Sequence, residues 1–151
     1  MIMRKSFTLA LAFLGLVLLN IPLASNAQVI YYEPFLTGMP GSISLYNVDN
    51  LTPAATVSYV NAAWIVREDF ITPSDSCAFS TSWYTPAGTA NDWMITPAIS
   101  IPATGTYTLS WGGLSPDPSY RDGYQVRVVN SAALSAHQAA TPVFSTLSEQ
   151  T

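Results

Sequence analysis

Asn91-Asp92-Trp93-Met94-Ile95-Thr96-Pro97-Ala98-Ile99-Ser100-Ile101 is the stretch on which the fold turns. It leaves a polar loop, buries a tryptophan and runs as a strand into Pro97. A further apolar piece, Ile99-Ser100-Ile101, stops at Pro102. Proline has no N–H to give to a ladder, so this strand is expected at a sheet edge or with a bulge. It sits in the middle of the readable strands, and each of those needs a partner.

Outward from that stretch the chain alternates rather than winds. Upstream, Val29-Ile30-Tyr31-Tyr32 is a short β-rich run, and Thr37 to Gly41 is a turn cluster. Ser42 to Val48 alternates as a half-buried strand. Val57-Ser58-Tyr59-Val60 and Trp64-Ile65-Val66 are the next apolar pieces, Cys77 to Trp83 reads as a strand, and Tyr84 to Ala90 is a loop. Downstream, Tyr107, Leu109 and Trp111 alternate with Thr106, Thr108 and Ser110 over a full strand. Tyr124, Val126 and Val128 mark another strand, Ala132 to Ala140 a short helical or loop excursion, and Val143-Phe144 a last run. No helix of ordinary length is readable, and turn signals recur about every dozen residues. That pattern predicts an all-β, antiparallel sandwich.

The amino terminus reads as a cleaved signal peptide over 1–27. Arg4 and Lys5 supply the positive end, and Phe7 to Leu19 is an apolar run too short for a comfortable bilayer span. Ser25-Asn26-Ala27 offers small residues for cleavage before Gln28, which assigns 28–151 to one exported domain with no membrane insertion after cleavage. An uncleaved anchor is disfavoured because Asn20 and Pro22 end the apolar run early.

Past residue 27, three arginines stand against nine carboxylates, a formal charge of −6. That balance argues against nucleic acid or an anionic membrane, both of which need a basic footprint. Only 9% of the residues are charged, against roughly 25% in ordinary soluble domains. Ser, Thr and Asn therefore do the solvating. Cys77 is alone, so an internal disulfide is impossible, and it reads as a small buried hydrophobe. A small exported domain without disulfides needs another staple, for which a metal ion is a candidate.

Several phrases resemble the cleaved-adhesin family, also called the choice-of-anchor J domain, found on surface proteins of Bacteroidetes-type bacteria and in gingipain adhesin regions. They are Ala63-Trp64-Ile65-Val66, Ser80-Thr81-Ser82-Trp83-Tyr84, the Asn91–Ile99 run, Leu109-Ser110-Trp111, and Ser115 to Val128 with its Tyr120-Arg121-Asp122-Gly123-Tyr124 centre. They occur in the family's order, over roughly residues 31–131. The resemblance implies a jelly-roll β-sandwich, often with structural calcium, carried in a larger secreted protein. It also implies further strands beyond the position of Thr151, so the chain is expected to be a C-terminally truncated copy.

Calcium takes six to eight oxygens from carboxylates, amides and carbonyls on loops. Glu33, Asp49, Asp117 and Asp122 are the candidate ligands, with Glu33 and Asp122 the preferred pair, and Asn47 and Asp92 also offer oxygen. Asp and Asn are equally ordinary turn-formers. For ligand binding, Trp83 and Tyr84 lead into a loop and Tyr120 follows as the next candidate for stacking on a sugar face. Trp64, Trp93 and Trp111 lie in apolar strand contexts and read as core.

Catalysis has little to stand on in this sequence. His137 is the single histidine, no Gly-x-Ser-x-Gly elbow exists, and Glu68 and Asp69 are adjacent, so on a strand they would point to opposite faces. The expectation is a secreted or cell-surface, non-catalytic adhesin-like module, with a glycan or a host or surface protein as partner. A carbohydrate-binding module accessory to a secreted hydrolase, and a purely structural spacer, are the competing readings.

Overall fold

The computed structural model describes residues 28–151, so the signal-peptide expectation for 1–27 lies outside the described residues. Within them the chain is an all-β arrangement of small sheets with a single short α-helix. β1 (Ser44–Asn47) pairs antiparallel with β4 (Asp92–Ile95), β2 (Ile65–Glu68) with β3 (Ser76–Phe79), and β5 (Tyr124–Val126) with β6 (Phe144–Thr146). Helix α1 (Leu134–Ala139) fills the connection from β5 to β6. No described helix is long and apolar enough to cross a membrane.

The Asn91–Ile101 stretch does form a strand, β4, and that strand sits at an edge of its two-stranded sheet. Its register sets Met94 opposite Leu45 and Trp93 opposite Tyr46, the cross-strand side-chain pairs that stabilise a two-stranded ribbon. The ladder ends at Ile95, just before Pro97 removes a donor. The expected resumption at Ile99–Ile101 does not occur. Both isoleucines are exposed and prolines stand on either side of them.

Two further expected strands are corrected in the same way. Tyr107 to Trp111 joins no ladder: the Tyr107 hydroxyl turns back to donate to the Ala103 carbonyl at 2.8 Å, a local bond in place of a cross-strand one. Val29 to Tyr32 also stays out of any sheet, with Val29 and Tyr32 exposed. The apolar piece Val57 to Val60 is tightly turned. A 3₁₀ turn covers Ala55–Val57, and Val57 and Val60 donate to carbonyls three residues back.

Where strands do form, side-chain bonds to the backbone set their ends. β3 stops at Phe79 because the Ser80 hydroxyl donates to the Ala63 carbonyl (2.7 Å) and Thr81 Oγ1 accepts from the Trp83 N–H (3.1 Å). The β2–β3 turn is closed by Asp69, whose Oδ1 accepts from the N–H groups of Ile71 and Thr72, both at 2.7 Å. Arg127 anchors α1 by donating to the carbonyls of His137 and Gln138 at 2.9 and 2.6 Å.

The core is small. Ile43, Ala54, Val60, Ala63, Tyr84 and Ile95 are buried, and they gather about the β1–β4 ribbon and the 53–63 connection. Trp111, read as core, is 44% exposed and rests edge-on against Phe144 at 5.2 Å between centroids. Trp64 and Trp93 are half-buried.

Candidate aromatic groove

A groove of about 1450 Å³ runs between the loop that follows β3 and the 114–123 loop that leads into β5, with β6 and the following segment on its far side. The 114–123 loop is fixed from within. Ser115 is buried, and its hydroxyl lies 3.1 Å from the Asp117 carbonyl and 3.2 Å from that of Tyr120. Its N–H donates to the Gln150 carbonyl, and the Glu149 N–H donates to the Asp122 carbonyl. A further bond crosses the groove: the Ser82 hydroxyl donates to Asp122 Oδ2 at 2.6 Å.

Of the exposed rings on this groove, which also include Tyr59 and Phe70, two from the expected ligand-binding set stand out furthest. Trp83 is 59% exposed and Tyr120 is 79% exposed. Trp93 is half-buried on the same groove, its indole N–H donating to Asn91 Oδ1 at 2.7 Å, and the Arg127 guanidinium lies 5.3 Å from its ring centroid.

Tyr84, expected beside Trp83 as a stacking residue, is buried and offers no free face. Adjacent residues in extended chain point to opposite sides, so the loop that exposes Trp83 turns Tyr84 inward. Its hydroxyl donates to Asp92 Oδ2 at 2.8 Å. Burial and that carboxylate push the Tyr84 phenol well above its ordinary range, so it stays a donor. Asp92 is itself pushed up, mainly by burial and against the bond from Tyr84. Its Oδ1 is buried with no partner, as is the Trp64 indole N–H.

The four expected calcium ligands are not brought together. Among the described residues no three His, Cys, Asp or Glu side chains gather as a metal-binding group. Each carboxylate has a hydrogen-bond partner instead: Glu33 takes the Phe35 N–H, Asp117 the Ser119 N–H, and Asp122 the hydroxyl of Ser82, 40 residues away. Asp49 takes the Leu51 N–H on one oxygen and the Asn91 N–H on the other, clasping the ends of β1 and β4. As a set these four do not fit a calcium ion, which needs six or more converging oxygens. The unsatisfied acceptor is Asp92 Oδ1, on a residue that lines both the groove and a smaller cavity of about 170 Å³.

Ser82, Ser115 and Glu149 escaped the reading of the residues. Ser82 lies in a polar run with a tryptophan after it, a visible cue for a loop wall. Glu149 carries no local signal, since its position depends on a bond to a residue 27 places earlier. Compared with known proteins, the chain matches no family model, no curated protein and no solved structure.

Proposed function

We propose that this chain is a non-catalytic binding module of the cleaved-adhesin kind, exported by its first 27 residues to the cell surface or beyond, that recognises glycan in the aromatic groove. Its ribbons belong, in this reading, to the two layers of a jelly-roll sandwich. The observation that carries the proposal is the joint placement of Trp83 and Tyr120, exposed, on a groove whose other lining groups include Ser82, Asp117 and Asp122. Flat rings stack on the apolar faces of pyranose units, and carboxylates and hydroxyls bond sugar hydroxyls. Recognition from loops on a paired-strand scaffold fits the position of both rings.

The absence of catalysis belongs to the same proposal. His137 Nε2 sits 2.9 Å from the Ser131 carbonyl beside α1, and burial pushes the Cys77 thiol up, away from a reactive thiolate.

The test is a titration of the protein with neutral oligosaccharides, followed by tryptophan fluorescence. Quenching that disappears in Trp83→Ala, with the melting temperature kept, supports the reading. A protein whose fluorescence ignores every saccharide, and which binds a host protein equally well without Trp83, refutes it.

A further inference from the structure

Between Pro97 and Gly113 the chain has the sequence of a β-strand without the partner of one. No main-chain N–H or carbonyl in this span bonds to another main-chain group of the described residues. Thr106 to Gly113 runs on with neither turn nor bend, and every residue from Ala98 to Gly113 is exposed. Leu109 is 55% exposed, with Tyr107 and Trp111 on either side of it at 42% and 44%. None of the span lines the aromatic groove. An extended run of unpaired main-chain groups and open apolar side chains is a template for another strand.

Two properties of the run select a second copy of this chain as that strand. The first is charge. Past residue 27 three arginines face nine carboxylates, yet no charged residue lies between Asp92 and Asp117, the longest such gap there. One acidic chain can approach another here with the least repulsion. The second is the order of residue types about Leu109. Thr108 and Ser110 flank it, Tyr107 and Trp111 come next, and Thr106 and Gly112 follow. Antiparallel pairing about a two-fold axis at Leu109 sets Leu109 against the partner's Leu109, Tyr107 against the partner's Trp111, and Thr108 against the partner's Ser110. Aromatic pairs and hydroxyl pairs are favourable cross-strand neighbours, and a two-fold interface requires a patch that complements itself. Trp111 is already held, edge-on to Phe144 and with its indole N–H donating to the Tyr124 hydroxyl at 3.0 Å. One end of the run is thereby fixed before a partner arrives, which lowers the cost of ordering it. We infer that two copies of the chain join through Tyr107 to Trp111 as an antiparallel, two-fold dimer.

The experiment is sedimentation velocity on the purified protein between about 5 µM and 500 µM. A reversible monomer–dimer equilibrium is expected, of the weak kind that small interfaces give. Leu109→Lys sets like charges opposite one another at the axis and should raise the dimer dissociation constant about tenfold or more. Its melting temperature in dilute solution should stay that of the parent, because Leu109 is more than half exposed. Trp83→Ala should leave the equilibrium unchanged, so the dimer and the glycan reading stand or fall separately. As a second variant, Leu109→Cys in a Cys77→Ala background is treated with oxidised glutathione. Directly opposed positions on antiparallel strands are within disulfide reach, so it should give a covalent dimer. Leu147→Cys, 91% exposed and outside the run, should not under the same conditions.

A protein that stays monomeric over the whole range overturns the inference. A dimer that Leu109→Lys leaves intact also overturns it, because another surface would then make the contact. Open-ended assemblies larger than a dimer, or a Leu109→Cys variant that crosslinks no faster than Leu147→Cys, overturn the two-fold pairing.

Discussion

The Tyr84 hydroxyl donates to Asp92 Oδ2 at 2.8 Å, tying the loop after β3 to the first residue of β4. The bond joins a buried ring to a carboxylate whose other oxygen has no partner. Removing the donor alone leaves Asp92 with only the distant Ser80 hydroxyl at 3.5 Å. Tyr84→Phe should therefore cost about 1–3 kcal/mol. Tyr84→Ala adds a cavity and should cost about 3–5 kcal/mol. Urea unfolding of the three proteins checks both, and a Phe variant as stable as the parent would show that the bond carries no net stability.

The acidic groups predict a particular pH profile. Burial holds Asp92 up, and burial with the Asp122 charge holds Glu149 up. Their folded forms keep protons to higher pH than the unfolded chain does. The stability they supply is complete below the unfolded values and is lost as pH rises through the raised ones. Asp69 runs the other way. The Thr72 and Ile71 N–H groups hold it below its ordinary 3.8, so its contribution is present above that value and lost on acidification. Urea midpoints between about pH 4 and pH 7 should fall less steeply in Asp92→Asn with Glu149→Gln than in the parent.

Arg67 is held by rings. Its guanidinium carbon lies 4.0 Å from the Phe70 centroid and 5.3 Å from those of Tyr59 and Phe79, and Nη1 donates to the Tyr59 hydroxyl at 3.0 Å. Arg67→Ala should lower stability by about 1 kcal/mol, with part of the loss from the uncovered aromatic surface. Arg67→Lys keeps the charge but loses the planar stack, so it should recover only part of that loss. Thermal melts of the two variants separate charge from stacking.

Gly123 is required by a close backbone approach. A Cβ there would lie 2.7 Å from the Thr146 carbonyl oxygen and 3.1 Å from Leu147 Cα. Gly123→Ala must push β6 away from β5 and should cost about 1–3 kcal/mol. Gly112→Ala, where nothing lies within 4 Å, should be silent. Faster hydrogen exchange at Tyr124 and Val126 in the Gly123 variant, and not in the Gly112 variant, would locate the damage.

The residues by themselves determined the β character of the chain and where most strands begin. Alternation and turn chemistry act over a handful of neighbours, which is why Leu45, Ile65, Cys77, Trp93, Tyr124 and Phe144 all fall in strands, and Leu134 to Ala139 in a helix, near the expected places. Whether an alternating run finds a partner is a long-range question, and Tyr107 to Trp111, alternating as cleanly as any, joins no ladder. Site chemistry divides along the same line. The types of Trp83, Tyr120 and Asp122 marked them as candidates from the sequence. Only the tertiary structure decided that Tyr84 turns inward to Asp92, that Ser82 reaches Asp122 across 40 residues, and that Glu149 comes against the same wall. A hydrogen bond or a shared field between distant residues leaves no local pattern, because its energy depends on separations that the chain acquires only on folding.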